Sequence, residues 1–290
     1  MNLTVIRKSG LTISALVIAA LAVTLAGCGA PKQQGQGGAP QAQKETITAV
    51  GSTALLPLVQ AAKEEFEAKN ANVTVNVSGG GSFTGLTQVA NGAANIGNSD
   101  VDVTPELKDK GLVDHKVAVA PFVIIVNPSV NVDSLTQDQL IGIFTGKIKD
   151  WKDVGGNAGR ITIIHRPASS GSRATIKEIV LKGQEFDPSA VTQDSNGKVF
   201  DGIKSTPGAI GYIDAAYLKD GVKAIAYNGV KYSAEAVTSG QYPIFAYEHM
   251  FTKGEATGAA KAFIDYILSP EFQNAYVEKM GFIPVNKMSK

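Results

Sequence analysis

Cysteine is almost absent from this chain: Cys28 is the single one among 290 residues. That excludes an internal disulfide and any metal site built on several thiolates. Histidine is nearly as scarce, and His115, His165 and His249 are scattered without the spacing of an HExxH helix. An excess of one charge is missing too. There are 27 Lys and Arg against 26 Asp and Glu, a formal net charge of +1, with no basic cluster or stripe. Nucleic-acid binding needs such a face and is not expected. No cofactor motif and no internal repeat are present. With 44% hydrophobic residues, the chain can still bury a substantial core, as one large domain or two small ones.

Arg7 and Lys8 precede an apolar run from Leu11 to about Val23. The run is short for a membrane span and has the build of a signal peptide. It closes on Leu25-Ala26-Gly27-Cys28, which resembles the lipobox of bacterial lipoproteins. The resemblance implies cleavage before Cys28 and acylation of its thiol, so residues 1–27 are read as a leader and Cys28 as a lipid anchor. Each buried acyl CH₂ contributes about 0.8 kcal/mol, enough for two or three chains to hold a protein at a membrane. Residues 28–44, dominated by Gly, Gln, Pro and Ala, have no apolar periodicity and read as a flexible tether with a reach of about 20–25 Å. Setting aside Arg7 and Lys8 leaves 25 of the 27 basic residues against 26 acidic ones, a net charge of −1.

From Glu45 onward, strand and helix patterns alternate. Thr46–Val50, Val73–Val77, Asn95–Ile96, Val117–Val126 (interrupted by Pro121), Ile161–Ile164, Ala209–Tyr212 and Ile244–Phe251 read as strands. Leu55–Lys69, Thr84–Asn91, Arg173–Lys182, Ala256–Leu268 and Pro270–Lys279 read as helices. This order predicts an α/β fold with mostly parallel sheets.

Three loops rich in Gly, Ser and Thr each stand between a strand and a helix: Gly51–Ala54, Ser78–Gly85 and Ala168–Arg173. A helix N-terminus exposes unpaired N–H groups and a partial positive charge, and small residues let an anion approach them. Any one loop is explained by Ser or Thr capping its helix. Three in one α/β chain point to a convergent oxyanion site. Arg166, just after a strand, could grip two oxygens of a tetrahedral anion, or form a salt bridge. Asp100 would repel an anion unless that anion carries a proton to donate. Phosphate keeps an O–H near neutral pH and sulfate does not, so a buried acceptor there would discriminate by a factor of ~10⁴–10⁵. Alone, Asp100 also reads as a helix cap before Thr104-Pro105.

Taken in order, Gly51-Ser52-Thr53, Gly81-Ser82, Ile96–Asp100, Arg166–Ser172, Pro207–Tyr212, Tyr247–Gly254 and Gly281–Val285 resemble the phosphate-binding proteins of ABC importers, the PstS type. The resemblance runs from about Thr46 to the C-terminus. It implies a type II periplasmic-binding fold of two lobes joined by two crossover strands that form a hinge, with residues 45–122 and 248–290 in lobe one and 123–247 in lobe two. It implies phosphate contacts from Thr53, Ala54, Ser82, Asp100, Arg166, Ser170, Gly171 and Ser172. Asp100 would accept the phosphate proton and Arg166 would pair with phosphate oxygens. Some members pair this arginine with an acid two residues later, where Ala168 stands here, and Ser172 stands where threonine is usual. The implied partners are inorganic phosphate, ABC permease subunits and, through Cys28, the membrane. The chain is expected to be an extracytoplasmic monomer without cofactor or metal.

Other classes are less consistent with the residues. An enzyme built on Ser170 and His165 lacks a G-x-S-x-G elbow. Gly142–Ile148 looks superficially like a P-loop but is one residue short between its glycines and lacks the closing Ser or Thr. Binding of sulfate or molybdate conflicts with Asp100. A surface module that keeps the fold without the ligand would not need all three donor loops. Trp151 is expected to be ordinary packing.

Overall fold

A computed structural model describes residues 44–288. The leader, Cys28 and the tether up to residue 43 lie outside the described residues. Strand β1 (Glu45–Gly51) pairs in parallel with β2 (Val73–Ser78) and β3 (Ile96–Ser99). Helix α1 (Leu56–Lys69) joins β1 to β2, and α2 (Ser82–Ala90) joins β2 to β3. The spacing that predicts α1 is also the one that packs it: Leu58, Val59, Ala62 and Phe66 are its buried residues.

Strand β4 (Leu112–Val126) runs unbroken through Pro121. Its first part pairs antiparallel with β11 (Phe245–Lys253), as far as Pro121 opposite Phe245. From Phe122 onward it pairs antiparallel with β8 (Ala209–Asp214). Proline cannot donate to a ladder, and here it occupies the residue at which β4 exchanges one partner for the other. Beyond β8 lie β6 (Thr162–His165) and β7 (Val191–Thr192), both in parallel pairings. The sheet order is β2-β1-β3-β11-β4-β8-β6-β7, with β9 (Lys223–Ala224) on β4, while β5 (Ser134–Leu135) and β10 (Ala226–Tyr227) pair apart from it. The sheet is therefore parallel towards both ends, as the alternating pattern predicts, and antiparallel around β4, where the chain crosses and returns.

The second βα stretch holds α3 (Gln137–Phe144), α4 (Gly171–Ile179) and α5 (Asn196–Ser205), with α6 (Ala234–Thr238) following. Helices α7 (Gly258–Leu268) and α8 (Pro270–Phe272) close the described chain, α8 continuing into a π-turn over Gln273–Val277. Helices α3 and α5 are absent from the helices expected from sequence but carry cap signals. Thr136 and Gln139 form a reciprocal capping box, and Ser195 caps α5. The Gly142–Ile148 segment finishes α3 rather than starting a helix, so it presents carbonyls, the wrong end for a phosphate. Trp151 is buried and donates Nε1–H to Gly208 O at 2.9 Å, a packing role. Among the described residues no helix is long and apolar enough to cross a membrane.

Candidate functional site

The loops that leave β1, β2, β3, β6 and β8 converge on one buried polar cluster. At the end of β1, Ser52 Oγ accepts from the N–H groups of Ala54 (3.0 Å) and Leu55 (3.1 Å), which fixes the turn leading into α1. The Ala54 N–H, expected to face an anion, is thus engaged within its own loop. Thr53 is buried, and its carbonyl accepts from Tyr217 Oη at 2.7 Å.

Asp100 follows β3 and bridges two helix starts. Ser82 Oγ, in the first residue of α2, donates to Asp100 Oδ1 at 3.0 Å and accepts from Asp100 N–H at 3.0 Å. Ser172 Oγ, at the start of α4, donates to Asp100 Oδ2 at 2.7 Å. A carboxylate offers about four acceptor sites, so both oxygens retain capacity for a further O–H. Gly171 fits between these groups because it has no side chain. A Cβ there would stand 2.4 Å from Ser82 Oγ and 3.0 Å from Asp100 Cγ. Ser170 Oγ caps α4 by accepting from Arg173 N–H at 3.2 Å.

Arg166 leaves the end of β6 and is 1% exposed. No acid stands at position 168; two carbonyls orient the guanidinium in its place, Gln193 O receiving Nε–H (3.1 Å) and Asp194 O receiving Nη2–H (3.0 Å). Nη1 is buried and has no hydrogen-bond partner among the described residues. Burial weakens the arginine's hold on its proton, and nearby Asp100 is the largest opposing influence. Arg173 steadies this turn by donating Nη1–H to Arg166 O at 2.9 Å and to His165 Nδ1 at 2.7 Å. Arginine can only donate, so His165 Nδ1 is an acceptor and Nε2 carries the proton, facing Thr192 Oγ1 at 3.2 Å. Burial and then the Arg173 charge push the His165 pKa down to about 4. His165 is a neutral, fully engaged packing residue against Phe186, not a base for Ser170.

All eight residues expected at the site lie in or beside this cluster. Four more that sequence reasoning passed over join it. Asn196 and Tyr217 hold Thr53. Asp214 ends β8; its Oδ1 accepts from Ala216 N–H at 2.7 Å, while Oδ2 is buried without a partner among the described residues. Glu248 is fully buried, and neither of its oxygens has a hydrogen-bond partner among the described residues. Burial, then the charges of Asp100 and Asp214, drive the Glu248 pKa well above the usual carboxylate range. Asp214 is raised likewise, chiefly by burial. The available signal was a lone acid inside or at the end of an apolar strand run, as in Ile210–Asp214 and Phe245–Phe251.

Comparison with known proteins is consistent with this geometry. A family profile described as the PBP superfamily domain matches residues 36–271. The phosphate-binding protein PstS of Bacillus subtilis is 44% identical over 281 residues, covering 94% of this chain and 93% of that protein. Among solved structures, a phosphate ABC transporter substrate-binding protein with bound phosphate from Clostridium perfringens superposes with a TM-score of 0.80 at 32% identity, covering 83% of this chain and 100% of the other. An ABC-type phosphate transport receptor from Vibrio cholerae superposes with a TM-score of 0.69 at 25% identity, covering 82% and 99%.

Proposed function

Because the chain belongs to the PBP superfamily, and within it to the phosphate-binding proteins of the PstS type, we propose that its buried cluster captures inorganic phosphate for delivery to an ABC importer. The observation that carries this reading is Arg166: a buried guanidinium with Nη1 unpartnered among the described residues and the acceptor Asp100 nearby. A buried cation with a free donor calls for an anion. Asp100 beside it calls for an anion that still carries a proton, which selects phosphate over sulfate. Thr53, Ser82, Ser170, Gly171 and Ser172 complete the oxygen contacts, with Ala54 closing the β1–α1 loop.

The chain binds and does not catalyse. Its Ser170 hydroxyl caps a helix, and burial, then the Arg173 charge, keeps His165 neutral. In this reading residues 45–122 and 248–290 form one lobe and 123–247 the other, with β4 and β11 crossing between them. The exchange of β4 partners at Pro121 supports that division. Site residues then come from both lobes, so phosphate favours a closed state. Acylation at Cys28 would keep the protein at the outer face of the membrane, beside its permease.

The test is calorimetric titration of a ligand-stripped fragment beginning after Cys28, first with phosphate and then with sulfate at neutral pH. One-to-one phosphate binding without sulfate binding is expected. Equal binding of both anions, or of neither, would overturn the reading.

A further inference from the structure

Asn196 is the first residue of α5 and is fully buried. Its amide orientation is set by a backbone group, since Asp214 N–H donates to Asn196 Oδ1 at 2.9 Å. A backbone N–H can only donate, so the opposite end of the amide is the NH₂. That NH₂ donates to Thr53 Oγ1 at 3.1 Å, and the Asn196 backbone N–H approaches the same oxygen at 3.4 Å. A hydroxyl oxygen has two acceptor sites and one proton. With both acceptor sites turned to Asn196, Thr53 has only its proton left to offer, and on the side away from Asn196. Tyr217 Oη anchors the main chain of the same residue by donating to the Thr53 carbonyl at 2.7 Å.

We propose that Asn196 is a positioning residue that makes the Thr53 hydroxyl an obligate hydrogen-bond donor to the bound anion. The proposal rests on the phosphate reading above and deepens it. An obligate donor demands an unprotonated oxygen at Thr53 and leaves the protonated oxygen to the acceptor Asp100. Together the two residues fix how a partly protonated phosphate lies in the site.

The experiment is a double-mutant cycle read by phosphate calorimetry on wild type, Thr53→Val, Asn196→Leu and the double variant, each with thermal unfolding recorded without ligand. Each single variant is expected to weaken phosphate binding about 10- to 100-fold, the worth of a hydrogen bond to a charged group. The double variant is expected to stay within about threefold of Thr53→Val, because the two residues act through one proton. Asn196→Asp supplies a second readout that packing would not move. Protonated, the new carboxyl can donate to Thr53 as the amide does; ionised, it can only accept, so the Thr53 hydroxyl donates to it and turns from the ligand. The ratio of its Kd to that of wild type should rise between pH 5 and 9. Taking the ratio cancels the titration of phosphate itself; the charged or titratable groups around the site in both proteins are Asp100, Asp214, Glu248, Tyr217 and Arg166. Additive losses in the cycle, or a flat ratio, would overturn the inference. If Asn196→Leu fails to fold, the pH profile of Asn196→Asp decides alone. Wild type that binds no phosphate overturns the functional reading itself, whereas binding with additive losses overturns this inference only.

Discussion

Glu248 shows how a single side chain sets the chemistry of the site. It is fully buried, and burial, then the charges of Asp100 and Asp214, disfavours its ionised form. A neutral carboxyl there spares the anion a further repulsive charge. The same shift has a sign for stability. The native protein keeps the Glu248 proton above the pH where the unfolded chain releases it, so the native state binds more protons and stability falls as pH rises. The fall begins above the ordinary glutamate pKa and continues to the raised native value, by at most about 1.4 kcal/mol per pH unit for one group. Asp214 adds a fall of the same sign. Glu248→Gln is expected to melt with a shallower decline between pH 5 and 8 than wild type, and parallel declines in thermal unfolding would assign the pH dependence elsewhere. Arg166, Asp100 and the serine loops were legible as single residues, because small hydroxyl residues between a strand and a helix have few uses. Asn196 was not legible, since one asparagine after a serine reads as any helix start.

At the level of elements, α1, α2, α4 and α7 were readable in the sequence, while α3, α5 and α6 were not. Helix α1 declares its face through Leu58, Val59, Ala62 and Phe66, while α3 and α5 announce themselves through their caps. Thr136 Oγ1 accepts from Gln139 N–H at 3.2 Å, and Gln139 Oε1 accepts from Thr136 N–H at 2.9 Å. Thr136→Ala should cost about 1 kcal/mol and lower the Tm by about 2–4 °C. Phosphate affinity should be unchanged, because α3 supplies no site residue. A calorimetric Kd that shifts with the Tm would contradict that separation. Strand β4 shows the opposite difficulty. Its Pro121 looks like a break in sequence, yet the strand continues because partners on either side of the proline supply the ladder.

For the whole molecule, the expected behaviour is closure. Thr53, Ser82 and Asp100 precede the β4 crossing in the chain, and Arg166 and Ser172 follow it, so phosphate bound to both sets should draw the lobes together. Small-angle scattering with and without phosphate should show a more compact form when ligand is present, and identical profiles would refute hinge closure. The sequence by itself determined the α/β class, the anion-seeking loops and the family, because these rest on local periodicity, on helix-start chemistry and on motif order, all encoded within short stretches. Tertiary structure alone decided which groups share one buried volume. It replaced a missing acid beside Arg166 with the Gln193 and Asp194 carbonyls, brought Asn196 to Thr53 and left Glu248 without a partner among the described residues. Contacts between residues so far apart in the chain depend on how the sheet crosses and returns, and no local pattern records that.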